Sequence, residues 1–237
     1  MENITPEIYD KHVISQGLQF QVDTYYEPKE ISQQRRIKIV LKAINPQQGE
    51  KILDVGCGVG TFAFYSAKSK ALSFGIDYSK ASLETARVLC DRYGVSENTN
   101  FIVANVFRLP FKDASFDKVV AADFIEHITL EEKERLLDQI EQMLKPEGRC
   151  VIFTPNLIRE KLGEIYWGIR QVLLGDKVPL NKLHLGLINR FHFEALLKKH
   201  KFNFEFSYQD ITRPYLARLP IIRHFLALNL LWIIKKA

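Results

Sequence analysis

The chain has 237 residues, 46% hydrophobic and 26% charged, with a formal net charge of +5, which supports one large domain with a buried core and excludes a disordered chain. Its three cysteines, Cys57, Cys90 and Cys150, form no CxxC pair and have no histidine at ligand spacing, which argues against a disulfide scaffold or a zinc site and for a reducing cytoplasmic setting. The charges are dispersed, so they permit contact with nucleic acid or anionic lipid without arguing for either.

The opening stretch MENITPEIYDKHVISQ has no basic segment before an apolar core, so it does not read as a signal peptide. No apolar run approaches the ~20 residues that span a bilayer. A helix is expected over 30–44, covering the front edge of a sheet. Strands are expected at 51–55 (KILDV), 72–77 (LSFGID), 100–104 (NFIVA), 117–122 (DKVVAA) and 149–154 (RCVIFT), with helical spacing at 79–93 and 130–144 between them. Thr129 and Glu132 form a capping box at the start of the latter helix, and Pro146 and Gly148 end it. Helices at 158–174 and 190–200 follow, then strands at 203–209 and 229–235 separated by an apolar insertion with scattered arginines at 211–228. Strand and helix in alternation predict a doubly wound α/β sheet with helices on both faces.

Asp54 and the loop GCGVG end the first strand and open a helix. Gly56, Gly58 and Gly60 let a ligand lie against bare backbone. A tight turn would need one glycine rather than three. The spacing G-x-G-x-G departs from the G-x-G-x-x-G of nicotinamide-binding proteins. A carboxylate at position 54 repels a pyrophosphate and suits a cationic amine. Asp77, ending the second strand in GIDYS, stands where a carboxylate accepts hydrogen bonds from ribose hydroxyls; a helix N-cap or a solvated strand end is the plainer alternative. A ribose, a cationic amine and no phosphate describe S-adenosyl-L-methionine.

These motifs resemble a class I S-adenosylmethionine-dependent methyltransferase. LDVGCGVG is similar to the family's glycine motif, GIDYS to the end of its second strand, FRLPFKDASFDKVVAADFIEHI to its LPF…FD…EH stretch and EQMLKPEGRCVIFTPN to its LKPGG motif. The nearest likeness is to ubiquinone-type and glycan-pathway small-molecule O-methyltransferases. The resemblance implies a seven-stranded, mostly parallel Rossmann-like sheet with its last strand antiparallel. It implies one domain over 1–237: a cofactor-binding core at 28–156, a substrate lid region at 157–201, and the last two strands with their insertion at 202–237. It places Asp54, Gly56 and Gly58 at the methionine part, Asp77 at the ribose, and Tyr78 and Asn105 at the adenine, with Cys57, Gly60, Val106 and Asp123 in the same cofactor set. Asn105 stands where the family often has aspartate; its amide oxygen can accept the same hydrogen bond. Arg36 matches an arginine that meets the cofactor's carboxylate in ubiquinone-pathway relatives; a solvated helix arginine is the alternative.

An alcohol or phenol acceptor must lose a proton, and histidine is the usual base. His127 in FIEHI and His184 in KLHLGLIN are the candidates, with Glu126 placed to orient His127 or to cap a helix. The expected acceptor is a small or lipid-linked molecule methylated at oxygen. A nucleic-acid or protein methyltransferase and a non-catalytic binding protein are the competing readings. No Pro-Pro motif follows the fourth strand and no dense basic stripe exists, so nucleic acid is not the expected partner. The stripe Leu162, Ile165, Tyr166, Ile169, Val172, Leu173 reads as a lid lining an acceptor pocket, as a surface for peripheral membrane contact, or as an ordinary core-facing helix.

Overall fold

Burial alternates along each central strand, and that alternation builds the layers. Leu53 and Val55 face one core cluster and Ile52 the other; Val119 and Ala121 oppose Val120 and Ala122 in the same way. The computed structural model describes residues 5–174, 186–211 and 220–236. In chain order the elements are α1 (Pro6–Gln21), α2 (Ile31–Ile44), β1 (Lys51–Val55), α3 (Thr61–Lys68), β2 (Leu72–Asp77), α4 (Lys80–Arg92), β3 (Thr99–Val103), β4 (Phe116–Ala122), α5 (Leu130–Met143), β5 (Leu144–Pro155), α6 (Leu157–Leu174), α7 (Arg190–Lys199), β6 (Asn203–Ile211), α8 (Pro220–Leu226) and β7 (Ala227–Lys235).

The strands form one seven-stranded sheet in the order β3-β2-β1-β4-β5-β7-β6. The first five run parallel, and β7 is antiparallel to both its neighbours. This is the expected Rossmann-like fold. Helices α5 and α7 bury Leu136, Leu137, Ile140, Phe193 and Leu197 on one face. Helices α2 and α3 bury Ile37, Val40, Ile44 and Phe62 on the other.

Four expectations need correction. Helix α2 lies across β4 and β5 rather than along the front edge, because its apolar side matches Val120, Val151 and Phe153 in the middle of that face. Helix α5 keeps its capping box but stops at Met143, since Leu144 already pairs with Phe116 and residues 145–148 fall where the β4–β5 register shifts. The third strand spans 99–103 rather than 100–104. The amino-terminal stretch, given no element from its pattern, is helix α1, with Pro6 in its first turn and a break at Gly17 (φ 73°). Its apolar residues Ile8, Ile14, Leu18 and Phe20 are exposed, so no periodic apolar face announced it.

A π-helical turn, Val22–Tyr26, joins α1 towards α2. From it, buried Tyr26 donates its hydroxyl to the carbonyl of Val59 at 2.6 Å, and Tyr65 donates to the carbonyl of Tyr26 at 2.7 Å. The amino-terminal segment is thereby tied to the glycine loop. Tyr26→Phe should destabilise the protein by about 1–3 kcal/mol, the cost of leaving a buried carbonyl unpaired. A lower midpoint of urea denaturation at unchanged slope is the expected reading.

Candidate active site

The carboxyl ends of β1, β2 and β4 meet beneath the glycine loop. Its three glycines have positive φ (64°, 52° and 80°) but differ in what surrounds them. A Cβ at Gly56 would stand 2.1 Å from the Phe124 ring, and one at Gly60 would stand 2.8 Å from the Phe101 ring. Those two are glycines because rings pack on them. A Cβ at Gly58 would meet nothing within 4 Å. Gly58 therefore leaves its backbone open to close approach by a ligand.

Two buried carboxylates hold the loop. Asp77 accepts from the Gly58 N–H and from the Ser79 N–H, each at 2.9 Å. Asp54 accepts from the Ala63 N–H at 3.1 Å in the first turn of α3. Each carboxylate has about four lone-pair sites, so Asp77 keeps acceptor capacity for ribose hydroxyls. Ser79, not Asp77, is the N-cap of α4. Cys57 is buried with its thiol against Gly75, so its side chain belongs to the core.

Arg36 reaches from α2 to form an ion pair with Asp123, and its guanidinium lies 5.2 Å from the Phe62 ring centroid. It is not a solvated helix arginine. Asp123 follows β4 in the left-handed region (φ 53°). Glu126 is buried and accepts from the Thr154 hydroxyl at 2.9 Å. Burial pushes Asp54 up to about 7 and raises Asp77 and Glu126 as well, with Asp123 adding like-charge repulsion on Glu126. Asp54, Asp123 and Glu126 thus gather around one guanidinium.

His127 ends a short 3₁₀ turn, Ile125–His127, just past β4. Helix α1 brings Tyr9 over this place: its ring lies edge-on to Tyr78 (centroids 5.5 Å apart) and to His127 (6.2 Å). Asp10 anchors that helix, accepting from the Ser79 hydroxyl at 2.6 Å and the Ala81 N–H at 3.1 Å. Asn105 is exposed and uses its side-chain oxygen to accept from the Phe107 N–H at 2.8 Å; Val106 is buried beside it. His184 lies outside the described residues. The residues missed from the sequence are Tyr9, Asp10 and Thr154. Pro6 and Glu7 after Thr5 were a usable helix-start signal for the first two. Among the described residues no acidic, histidine or cysteine cluster could hold a metal ion.

Residues 53–152 match the family described as methyltransferase domain. An O-methyltransferase of Penicillium expansum is 38% identical over 127 residues, 53% of this chain and 45% of that protein. A demethylmenaquinone methyltransferase of Clavibacter sepedonicus is 35% identical over 111 residues, 47% of this chain and 43% of that one. The matches thus span less than half the length of these curated relatives. The crystal structure of a SAM-dependent methyltransferase from Aquifex aeolicus superposes with a TM-score of 0.62 at 13% identity, covering 98% of both chains; that likeness is one of fold.

Three outcomes follow from the geometry. Gly58→Val carries about 1–2 kcal/mol of left-handed strain but its Cβ meets no protein atom within 4 Å, so the fold should survive while calorimetric binding of S-adenosylhomocysteine is lost. Gly60→Ala, which drives into Phe101, should lower the melting temperature instead. Asp54 must be ionised to face a cationic amine, and its folded value sits near 7. Affinity for S-adenosylhomocysteine should therefore rise between about pH 5.5 and 7, by up to about tenfold per unit, and Asp54→Asn should flatten the profile.

Proposed function

We propose that this class I S-adenosylmethionine-dependent methyltransferase domain moves a methyl group from S-adenosylmethionine to an oxygen of a small-molecule or lipid-linked acceptor. The observation that carries the reading is the open backbone at Gly58, held by Asp77 beside Asp54, with Arg36 facing Asp54, Asp123 and Glu126. Burial raises Asp54 and Glu126 well above the usual carboxylate range, and a cation beside them favours their ionised form. A ligand bearing an ammonium, a sulfonium, a carboxylate and a ribose meets each group present, whereas a dinucleotide's phosphates would face repulsion. The matches to an O-methyltransferase and a demethylmenaquinone methyltransferase support a small-molecule acceptor.

The bound cofactor supplies a methyl carbon on a good leaving group, so no acid is required of the protein. Asp54 faces the ligand's amine. Arg36 keeps donors beyond those given to Asp123 and Gln33 and receives its carboxylate. Asp77 accepts from the ribose, while Tyr78, Asn105 and Val106 border the adenine. Tyr9 roofs the cleft and excludes water, which strengthens every charge contact beneath it. His127 takes the proton from the acceptor hydroxyl. Holding that oxygen ~3–3.5 Å from the methyl contributes ~7–11 kcal/mol.

Transfer of a labelled methyl group to a panel of phenols, quinols and lipid-linked alcohols tests the reaction, with the modified atom identified by mass spectrometry. His127→Ala should lower turnover by ~10²–10⁴ while S-adenosylhomocysteine affinity stays within a few fold. Full turnover in that variant would remove His127 from the mechanism.

A further inference from the structure

Helix α6 has no buried residue. Its apolar stripe points to solvent: Ile165 is 60% exposed, Ile169 54%, Val172 84% and Leu173 74%, and Leu162 and Tyr166 are exposed with them. This is neither the pattern of a core helix nor that of a stripe lining a closed pocket. The helix is nevertheless fixed in place at its start. Asn156, fully buried, donates to the carbonyls of His224 and Ala227 at 2.9 and 3.0 Å and accepts from the Ile158 N–H at 3.2 Å. One side chain thus pins the starts of α6 and β7 and the end of α8 together. Because β7 is antiparallel to β5, with Asn229 opposite Pro155, all three junctions lie at the carboxyl edge of the sheet, the edge of the glycine loop. Exposed Phe225 and Leu228 continue the apolar surface there.

The charges around the stripe have a sign. At 3.6 residues per turn, Arg159 and Arg170 fall on one flank of it and Glu160 and Glu164 on the side away from it. Arg170 stacks on Tyr166 and Trp167, 5.7 and 5.5 Å from their centroids, and donates to the Tyr166 hydroxyl at 3.0 Å. Arginine beside tyrosine and tryptophan is the composition that settles at the headgroup level of a bilayer. Helices α6 and α8 together carry Arg159, Lys161, Arg170 and Arg223 against Glu160 and Glu164. Among the described residues no helix is long and apolar enough to cross a membrane, so contact would be along the surface.

We propose that α6, with Phe225 and Leu228, is a docking face for an anionic lipid bilayer, lying in the interface with its apolar stripe among the acyl chains. The face shares its edge with the candidate active site, so a lipid-linked acceptor would reach His127 without leaving the membrane. Docking itself does not depend on the methyl-transfer reading; only this consequence does.

The test is co-sedimentation of the full chain with vesicles of equal parts phosphatidylglycerol and phosphatidylcholine, beside vesicles of phosphatidylcholine alone. Binding to the anionic vesicles should be the stronger and should weaken with salt. Ile169→Glu/Val172→Glu should reduce it at least about tenfold, since each side chain removed from the acyl region forfeits a large apolar transfer term. S-adenosylhomocysteine titration of the same variant reports separately on the cofactor site and should be unchanged; wild-type protein that binds vesicles but not this ligand would retain the docking face and overturn the methyl-transfer reading. Absence of wild-type binding to either vesicle would overturn the docking face. So would a double variant that sediments like wild type, or an apolar face shown by analytical ultracentrifugation to close a dimer that the double variant dissolves.

Discussion

The hydrogen bonds that Asp77 accepts from Gly58 and Ser79 organise the site. A loop built on glycines at positive φ has little side chain with which to fix its own shape. Its shape is borrowed from the carboxylate at the end of β2. Ser79 then caps α4 and donates to Asp10, and Asp10 sets α1 so that Tyr9 lies between Tyr78 and His127. The glycine loop, the end of β2 and the start of α1 are thus links in one hydrogen-bonded chain. A second tie, from Tyr26 to Val59, fastens the far end of α1 to the same loop.

The antiparallel strand explains the other half of the molecule. Inserting β7 between β5 and β6 brings the chain back to the carboxyl edge just where β5 ends. Asn156 sits at that junction and satisfies backbone groups from two later elements. The segments after β5 and before β7 therefore flank the cofactor half of the sheet.

Strands were legible in the sequence because each is a short apolar run ending in punctuation, and β1 and β2 fell where the pattern set them. The glycine loop, Asp54 and Asp77 were legible because backbone conformation and charge at strand ends are local properties. Tyr9 and Asp10 were not, since their roles come from a helix whose apolar residues face solvent and so leave no period to read. The Arg36–Asp123 pair joins positions 87 residues apart; the sequence marks each singly, and only the fold shows that they meet. Thr154 was hidden for the same reason, being the partner of a carboxyl group 28 residues away.

Burial is what gives this cleft its preference for charge. Moving Asp54 from its usual 3.8 to about 7 corresponds to a cost on the order of 4 kcal/mol for keeping it ionised in the free protein. Since the folded value lies above the unfolded one, that cost is absent at low pH and grows as the pH rises from about 4 towards 7. A cation placed beside the carboxylate returns part of it; a phosphate would increase it. The same glycine-loop backbone could approach a pyrophosphate or an amino-acid moiety. The buried carboxylates favour the second, and the Arg36–Asp123 pair leaves one guanidinium beside them without cancelling their negative field.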